Sequence, residues 1–457
     1  MRPSPKLSPG REEADRTDSP MIAWLFNFVY LALVAALSPY LLWTAVTKGK
    51  YREGFGEKFL GKVHRRPAQS PQHIWLHAVS VGEVNLLSAL ISEVRRRHAD
   101  VTFHITTTTK AGYDLAQSKY AQHTVTYAPL DFSWAVNEAY RRIQPDAVLL
   151  VELELWPNLI RSARTHGASI AVVNGRLSEK SHRGYRRIER LVRPLLQRLD
   201  LVAAQDETFA QRFRDLGADP AKVLVTGSIK FDGITPNRNN PRTIGFQKLV
   251  GLKPDDIVWL AGSTQAGEES IILDAYRQVR KKVPKLKLLL VPRHPHRFNE
   301  VAQLLNTQEL RFARRSELLT PLANEAPIVL VDSVGELSAW WGTADIAFVG
   351  GSLGNRGGQN MIEPAAYGTA VAVGPNTWNF KDVVQRLKAA EALTIVQDAD
   401  SLARFVIQAA TDPAWRQSQG QRAKEVVLCQ QGATARTVDV LETLLARPTI
   451  VKFRSAA

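Results

Sequence analysis

Cysteine is almost absent from this 457-residue chain, with Cys429 standing alone. An intrachain disulfide is therefore excluded, and so is a metal centre built on clustered cysteines. A reducing compartment is the easier fit. Neither an H-E-x-x-H run nor a Walker A loop occurs, which leaves zinc-protease and P-loop chemistry without support. Histidine stops at His296. The run G-G-S-L-G at 350–354 formally matches a nucleophile elbow, but that fold requires a histidine later in the chain, so a hydrolase of this type is excluded. Charge is missing altogether from residues 21–46.

That uncharged run is rich in Leu, Ala, Phe, Trp and Tyr and is long enough to span a hydrocarbon core. Trp24, Tyr40 and Trp43 suit its interfaces, and Pro39 marks a kink or an exit. Before it, residues 1–20 are polar and proline-bearing and read as a disordered leader. Four basic residues there are offset by four acids, whereas Lys48, Lys50, Arg52, Lys58, Lys62, Arg65 and Arg66 follow the run. This bias places the large C-terminal part in the cytoplasm. A buried or monotopic helix is the alternative. Overall, 45% hydrophobic and 23% charged residues describe a globular chain, and a net charge of +15 points to anionic partners: nucleic acid, a phospholipid surface or a phosphorylated substrate.

Beyond residue 47, strand-like and helix-like stretches alternate, as in a doubly wound α/β fold. Strands are predicted at 74–77, 102–107, 124–128, 147–152, 169–174, 201–204 and 223–227. A loop-like run rich in Asp, Gly, Pro and Asn covers 231–242 and reads as a linker. The pattern then restarts at 257–261, 288–291, 328–331, 346–349, 370–373 and 393–396. Two similar halves around one linker predict a cleft for a large, two-part substrate.

Five stretches carry candidate chemistry. Residues 74–83 (I-W-L-H-A-V-S-V-G-E) run from a strand through a glycine turn to Glu83 at a helix start. Glu83 reads equally as a general base in a ligand crevice or as a first-turn acid complementing the helix dipole. After the strand at 147–152, alternation puts Glu152 and Glu154 on one side, and Pro157 halts the strand. Lys230 lies at the linker's mouth, where a lone lysine is usually solvated. Arg293 sits between prolines, Pro292 and Pro295, and suits phosphate or carboxylate. The richest stretch, 349–364, is a strand, a loop with five glycines and a helix start; free amides at that helix start are expected to hold a phosphate. Glu363 fits a ribose diol, or else a capping arrangement with Asn360. The acid pair Asp398 and Asp400 precedes a helix-like run and reads as capping. Arg183, Arg186, Arg187, Arg190 and Arg193 recur at helical spacing; a solvated face is the first reading, anionic lipid or acceptor phosphate the second.

Together, the stretches at 74–83, 152–158, 227–232, 291–295, 335–336 and 350–363 resemble the bacterial Kdo (3-deoxy-D-manno-octulosonic acid) transferases of lipopolysaccharide biosynthesis. The resemblance implies a GT-B glycosyltransferase in which two Rossmann-like domains face a cleft behind an N-terminal membrane-anchor helix (21–46). It implies an acceptor-binding domain at 47–235, a linker at 236–247, a CMP-sugar-binding domain at 248–432, and a C-terminal helix and tail at 433–457. Transfer of Kdo from a CMP-Kdo donor to a lipid A precursor, lipid IVA, would be inverting and would need no metal or other cofactor. The partners would be that donor, that acceptor and inner-membrane phospholipid, with no nucleic acid. By the same resemblance the base falls on Glu83, and transition-state stabilisation on Glu152 and Lys230. Contacts to CMP fall on Pro292, Arg293, Val334, Gly335, Glu336, Asn360, Met361, Ile362 and Glu363. Val334 and Met361 depart from residues common in enterobacterial relatives.

Overall fold

Fourteen strands form among the described residues of the computed structural model, which are 20–48, 53–67, 72–234, 236–322 and 326–445. The leader (residues 1–19) and the tail after residue 445 lie outside the described residues. One compact unit ends at Asp232 and resumes at Gln431; the other runs Gly233–Gln430.

The first unit holds β1 (Gln72–His77), β2 (Val101–Thr107), β3 (Thr124–Tyr127), β4 (Ala147–Val151), β5 (Ser169–Gly175), β6 (Leu201–Ala204) and β7 (Val223–Val225). They form one parallel sheet in the order β3-β2-β1-β4-β5-β6-β7. A parallel sheet is covered by helices on both faces, which is why β4 (A-V-L-L-V) is apolar throughout and fully buried. Side chains alternate between the two cores. Ile74, Leu76, Leu149 and Val151 pack on one face with Leu87 and Phe103, whereas Trp75, Val148 and Leu150 pack on the other with Tyr140, Ile160 and Phe213. The chain also returns here at its end. Val438, Leu441, Leu444 and Leu445 of the helix Ala433–Leu445 join the first of these cores, and the Asp232 carboxylate accepts the amides of Gly432 and Thr434 at its start.

The second unit holds β8 (Ile257–Thr264), β9 (Leu286–Pro292), β10 (Phe312–Arg314), β11 (Ile328–Leu330), β12 (Ile346–Val349), β13 (Ala370–Val373) and β14 (Thr394–Ile395), again all parallel, in the order β10-β11-β9-β8-β12-β13-β14. Chain order reverses between β1 and β4 in the first sheet and between β8 and β12 in the second. Loops after these strands diverge to opposite faces and leave a crevice at the carboxyl ends.

Three expectations are corrected. β10 is absent from the sequence reading because a three-residue, half-exposed edge strand carries no continuous apolar run. The stretch expected to be a linker at 236–247 is fastened down. Arg238 donates to the carbonyls of Gly342, Ala344 and Tyr367, Asn240 caps the helix Pro241–Leu249, and Thr243 and Phe246 of that helix are buried. Its Pro and Asn mark a cap and a first helical turn, not slack. The third concerns the anchor. A helix does form at Pro20–Lys48, but among the described residues no helix is long and apolar enough to cross a membrane. Two of its polar side chains bond to the element after β3: Asn27 exchanges hydrogen bonds with Ser133, and Tyr30 donates to the Asp131 carboxylate. Trp24, Phe28, Leu31, Leu37 and Trp43 are exposed. Asp131 also accepts the amides of Asn158 and Leu159, so the helix is tied to the element that follows the β4 loop.

Candidate functional site

The crevice of the first unit is lined by acids. β1 ends at His77, and Ser80 caps the helix Val81–Arg97, accepting the Glu83 amide on its hydroxyl oxygen. The Glu83 side chain folds back: the Ser80 hydroxyl donates to Oε1 at 2.7 Å and the Val79 amide to Oε2 at 2.8 Å. Both sequence readings of Glu83 therefore have a geometric basis, because a capping carboxylate held at a crevice still keeps lone pairs for a substrate proton. The loop beneath is pinned by β2, whose Thr107, together with Thr108 and Thr109 just beyond it, directs hydroxyls at the Val79 carbonyl. Gly112 permits this crowding, since a Cβ there would stand 2.5 Å from the Thr107 hydroxyl oxygen. Burial raises the Glu83 pKa above the ordinary carboxylate value; the bonds from Ser80 and Val79 oppose the rise, and the Glu152 charge adds to it.

Glu152 follows β4 with φ at +63°, a left-handed conformation that costs a non-glycine residue about 1–3 kcal/mol. Its amide still donates to Val173 of β5, so the turn aims the side chain without breaking the sheet. Lys230 Nζ lies 2.7 Å from Glu152 Oε1, which pairs a lysine that looked solvated in the sequence. Its 3-10 turn, Ile229–Phe231, hangs on Asn174, a fully buried residue with φ at +54° whose side-chain oxygen accepts the Ile229 amide. Glu154 completes the cluster. It accepts the Trp156 indole N–H at 2.7 Å, and burial, then the Glu83 charge, push its pKa up to about 7. Three carboxylates and one ammonium thus share one crevice, which gives a base, a negative group for a developing cation and a positive group for a leaving anion. Asn174 and Glu154 are absent from the sequence-based set of site residues. For Glu154 the signal was its shared side with Glu152; for Asn174 there was none.

In the second unit, β9 ends at Pro292, which is buried, and the exposed Arg293 follows with its amide on the Thr264 carbonyl. The Glu363 carboxylate accepts from Asn360 Nδ2 at 3.0 Å, and Asn360 Oδ1 accepts the Ile362 amide at 3.1 Å. Burial raises the Glu363 pKa, opposed by hydrogen bonds from Asn360 and Ser338 and by the Arg293 charge, so these four side chains converge. Met361 and Ile362 are buried to within 1% of full coverage and can offer a ligand only backbone. Val334 is 75% exposed beside Gly335. Glu336 is engaged by Arg315, Ser333 and Trp340, which leaves its side chain fixed and its backbone available.

Three amides at the beginning of the glycine loop are already taken. The amides of Gly351, Ser352 and Leu353 all donate to the buried carboxylate of Glu268. Ser352 is fully buried, donates to the Val349 carbonyl and accepts the Gly374 amide, so the apparent nucleophile elbow is a packing device. Asp398 does cap the helix Ala399–Thr411, in a capping box with Ser401.

A family model described as 3-deoxy-D-manno-octulosonic-acid transferase (kdotransferase) matches residues 52–233. The chain is 34% identical over 429 residues to the 3-deoxy-D-manno-octulosonic acid transferase of Haemophilus influenzae, covering 93% of this chain and 100% of that protein. It is 34% identical over 433 residues to the enzyme of the same name from Bordetella pertussis, covering 91% and 99%. Among solved structures, a glycosyltransferase from Rickettsia africae matches with a TM-score of 0.52 at 12% identity, over 82% of this chain and 99% of that one, a likeness of fold alone. The fold is GT-B, built on two parallel seven-stranded sheets.

Proposed function

The chain belongs to the 3-deoxy-D-manno-octulosonic-acid (Kdo) transferase family, and we propose from that premise a donor, an acceptor and a mechanism. The protein is a glycosyltransferase that moves Kdo in lipopolysaccharide biosynthesis. The donor is CMP-Kdo, the acceptor is the lipid A precursor lipid IVA, and the anomeric centre is inverted.

Glu83, ionised, takes the proton from an acceptor hydroxyl as that oxygen bonds to the anomeric carbon. The bond from that carbon to the phosphate oxygen breaks, and CMP departs with the electron pair. Desolvation makes Glu83 a stronger base than a solvated carboxylate. Glu152 favours the positive charge that develops on the sugar ring. Lys230 and Arg293 meet the negative charge on the departing phosphate, a role that falls to side chains and not to a metal. Pro292, Val334, Gly335, Glu336 and the segment from Asn360 to Glu363 hold the CMP, Met361 and Ile362 through backbone. The observation that carries this reading is the carboxylate cluster Glu83–Glu152–Glu154 with Lys230, a constellation able to take a proton and stabilise an oxocarbenium-like centre.

The exposed apolar side chains of the helix Pro20–Lys48 and the basic residues that follow support a position on the cytoplasmic face of the inner membrane, with the helix lying on the bilayer. The deciding experiment supplies CMP-Kdo and lipid IVA to purified protein and reads products by mass and anomeric configuration. Retention of configuration would remove the single-displacement mechanism, and absence of any Kdo-bearing lipid would remove the acceptor assignment. Protection from heat by UDP rather than CMP would remove the donor assignment.

A further inference from the structure

Glu268 opens the helix Glu268–Arg280 just after β8 and is 2% exposed. Its Oε2 accepts the amides of Gly351 at 2.7 Å and Gln265 at 2.9 Å, and its Oε1 accepts those of Ser352 at 3.0 Å and Leu353 at 2.9 Å. Four backbone donors from two loops therefore converge on one anion, at the crevice where chain order reverses between β8 and β12. Convergent amides in such a crevice are the usual means of seating a phosphate.

The surrounding backbone is shaped for this contact. Ser263 adopts a left-handed conformation with φ at +57°, where the register of β8 against β9 shifts. At Gly350, a Cβ would stand 2.6 Å from the Thr264 Cα and 2.8 Å from Glu268 Oε2, so only glycine lets the loop close on the carboxylate. The neighbouring acid does not compete. Glu269 accepts from the Thr264 hydroxyl and binds Arg297 through both oxygens.

We propose that Glu268 is a built-in anion that closes this nest to phosphate and thereby restricts the second unit to sugars carried on a nucleoside monophosphate. The inference rests on the donor reading above and names what enforces it. The single phosphate of a CMP-linked sugar is met by Arg293 at the surface. A second phosphate reaching for the nest meets a carboxylate that already holds its donors, and the like charges repel.

The test titrates CMP and CDP by calorimetry into wild type and Glu268→Ala. Wild type should bind CMP in preference to CDP. In Glu268→Ala the vacated nest should raise CDP affinity relative to CMP by about tenfold or more, the scale of new charge-assisted hydrogen bonds. Formate, which returns a carboxylate to the nest, should reverse that gain. An unchanged CMP-to-CDP ratio in folded Glu268→Ala overturns the inference. Failure of wild type to bind CMP overturns the donor reading instead. Should the variant fold only with an anion present, its melting temperature in formate, phosphate, pyrophosphate and chloride replaces the titration. Stabilisation by formate and phosphate over chloride sustains the proposal, and no difference among them ends it.

Discussion

Lys230 Nζ and Glu152 Oε1 meet at 2.7 Å although their segments follow strands three places apart in the sheet. The meeting depends on Asn174, at the end of the strand beside β4, which holds the Ile229 amide and so brings the lysine back over the intervening strand ends. If the pair acts as a unit, Lys230→Met and Glu152→Gln should each lower turnover by roughly 10²–10³-fold, the scale of losing one electrostatic stabiliser. The double variant should be only slightly worse than the poorer single one. Multiplicative losses would show that the two groups act independently.

Glu83→Gln keeps size and most hydrogen bonding but cannot take a proton, so turnover should drop by roughly 10²–10⁴-fold. CMP affinity should stay near wild type. The residue is buried and holds the Ser80 cap, so a stability loss of about 1 kcal/mol is expected alongside. A variant that loses stability yet turns over within a few-fold of wild type would make Glu83 a cap alone.

The acid limb of the kcat/KM profile should lie above the ordinary carboxylate range. The Glu83 pKa is raised, and a base with a raised pKa becomes protonated, hence inactive, at a higher pH as the solution is acidified. The Glu152 charge is one cause of that rise. Glu152→Gln should therefore move the limb to lower pH. A limb that stays put would mean that the Glu152 charge does not reach the base.

Glu363→Ala should weaken CMP binding by about 1–3 kcal/mol, as for a hydrogen bond to a charged group. Asn360 Oδ1 accepts the Ile362 amide independently of Glu363, so the helix start should survive. Unchanged CMP affinity by calorimetry with a lowered melting point would assign Glu363 to capping.

Paired substitutions Phe28→Glu and Leu31→Glu, on exposed positions of the helix Pro20–Lys48, should abolish co-sedimentation with anionic phospholipid vesicles. The Asn27 and Tyr30 contacts should keep the helix docked and the melting point unchanged. Full vesicle binding by the double variant would place the membrane contact elsewhere.

Much of the architecture was legible because a parallel sheet covered on both faces must be written as continuous apolar runs separated by helices. The run 147–152 and β4 nearly coincide for that reason. β10 escaped because its three residues sit half-exposed at an edge, where no apolar run is required. The segment before helix Pro241–Leu249 looked like slack chain because Arg238's partners lie more than a hundred residues away, at Gly342, Ala344 and Tyr367.

By itself the sequence determined which strands the proposed site residues follow: Glu83 after β1, Glu152 and Glu154 after β4, Arg293 after β9, and glycines after β12. Only the tertiary structure decided what each group is bonded to, because those partners come from other strands. It turned a solitary Lys230 into one half of an ion pair. It also turned an apparently open amide loop into a nest already occupied by Glu268, more than eighty residues earlier in the chain. A hydrogen bond between distant loops leaves no periodic trace in either one, so its existence was fixed only when two parallel strands came to lie side by side.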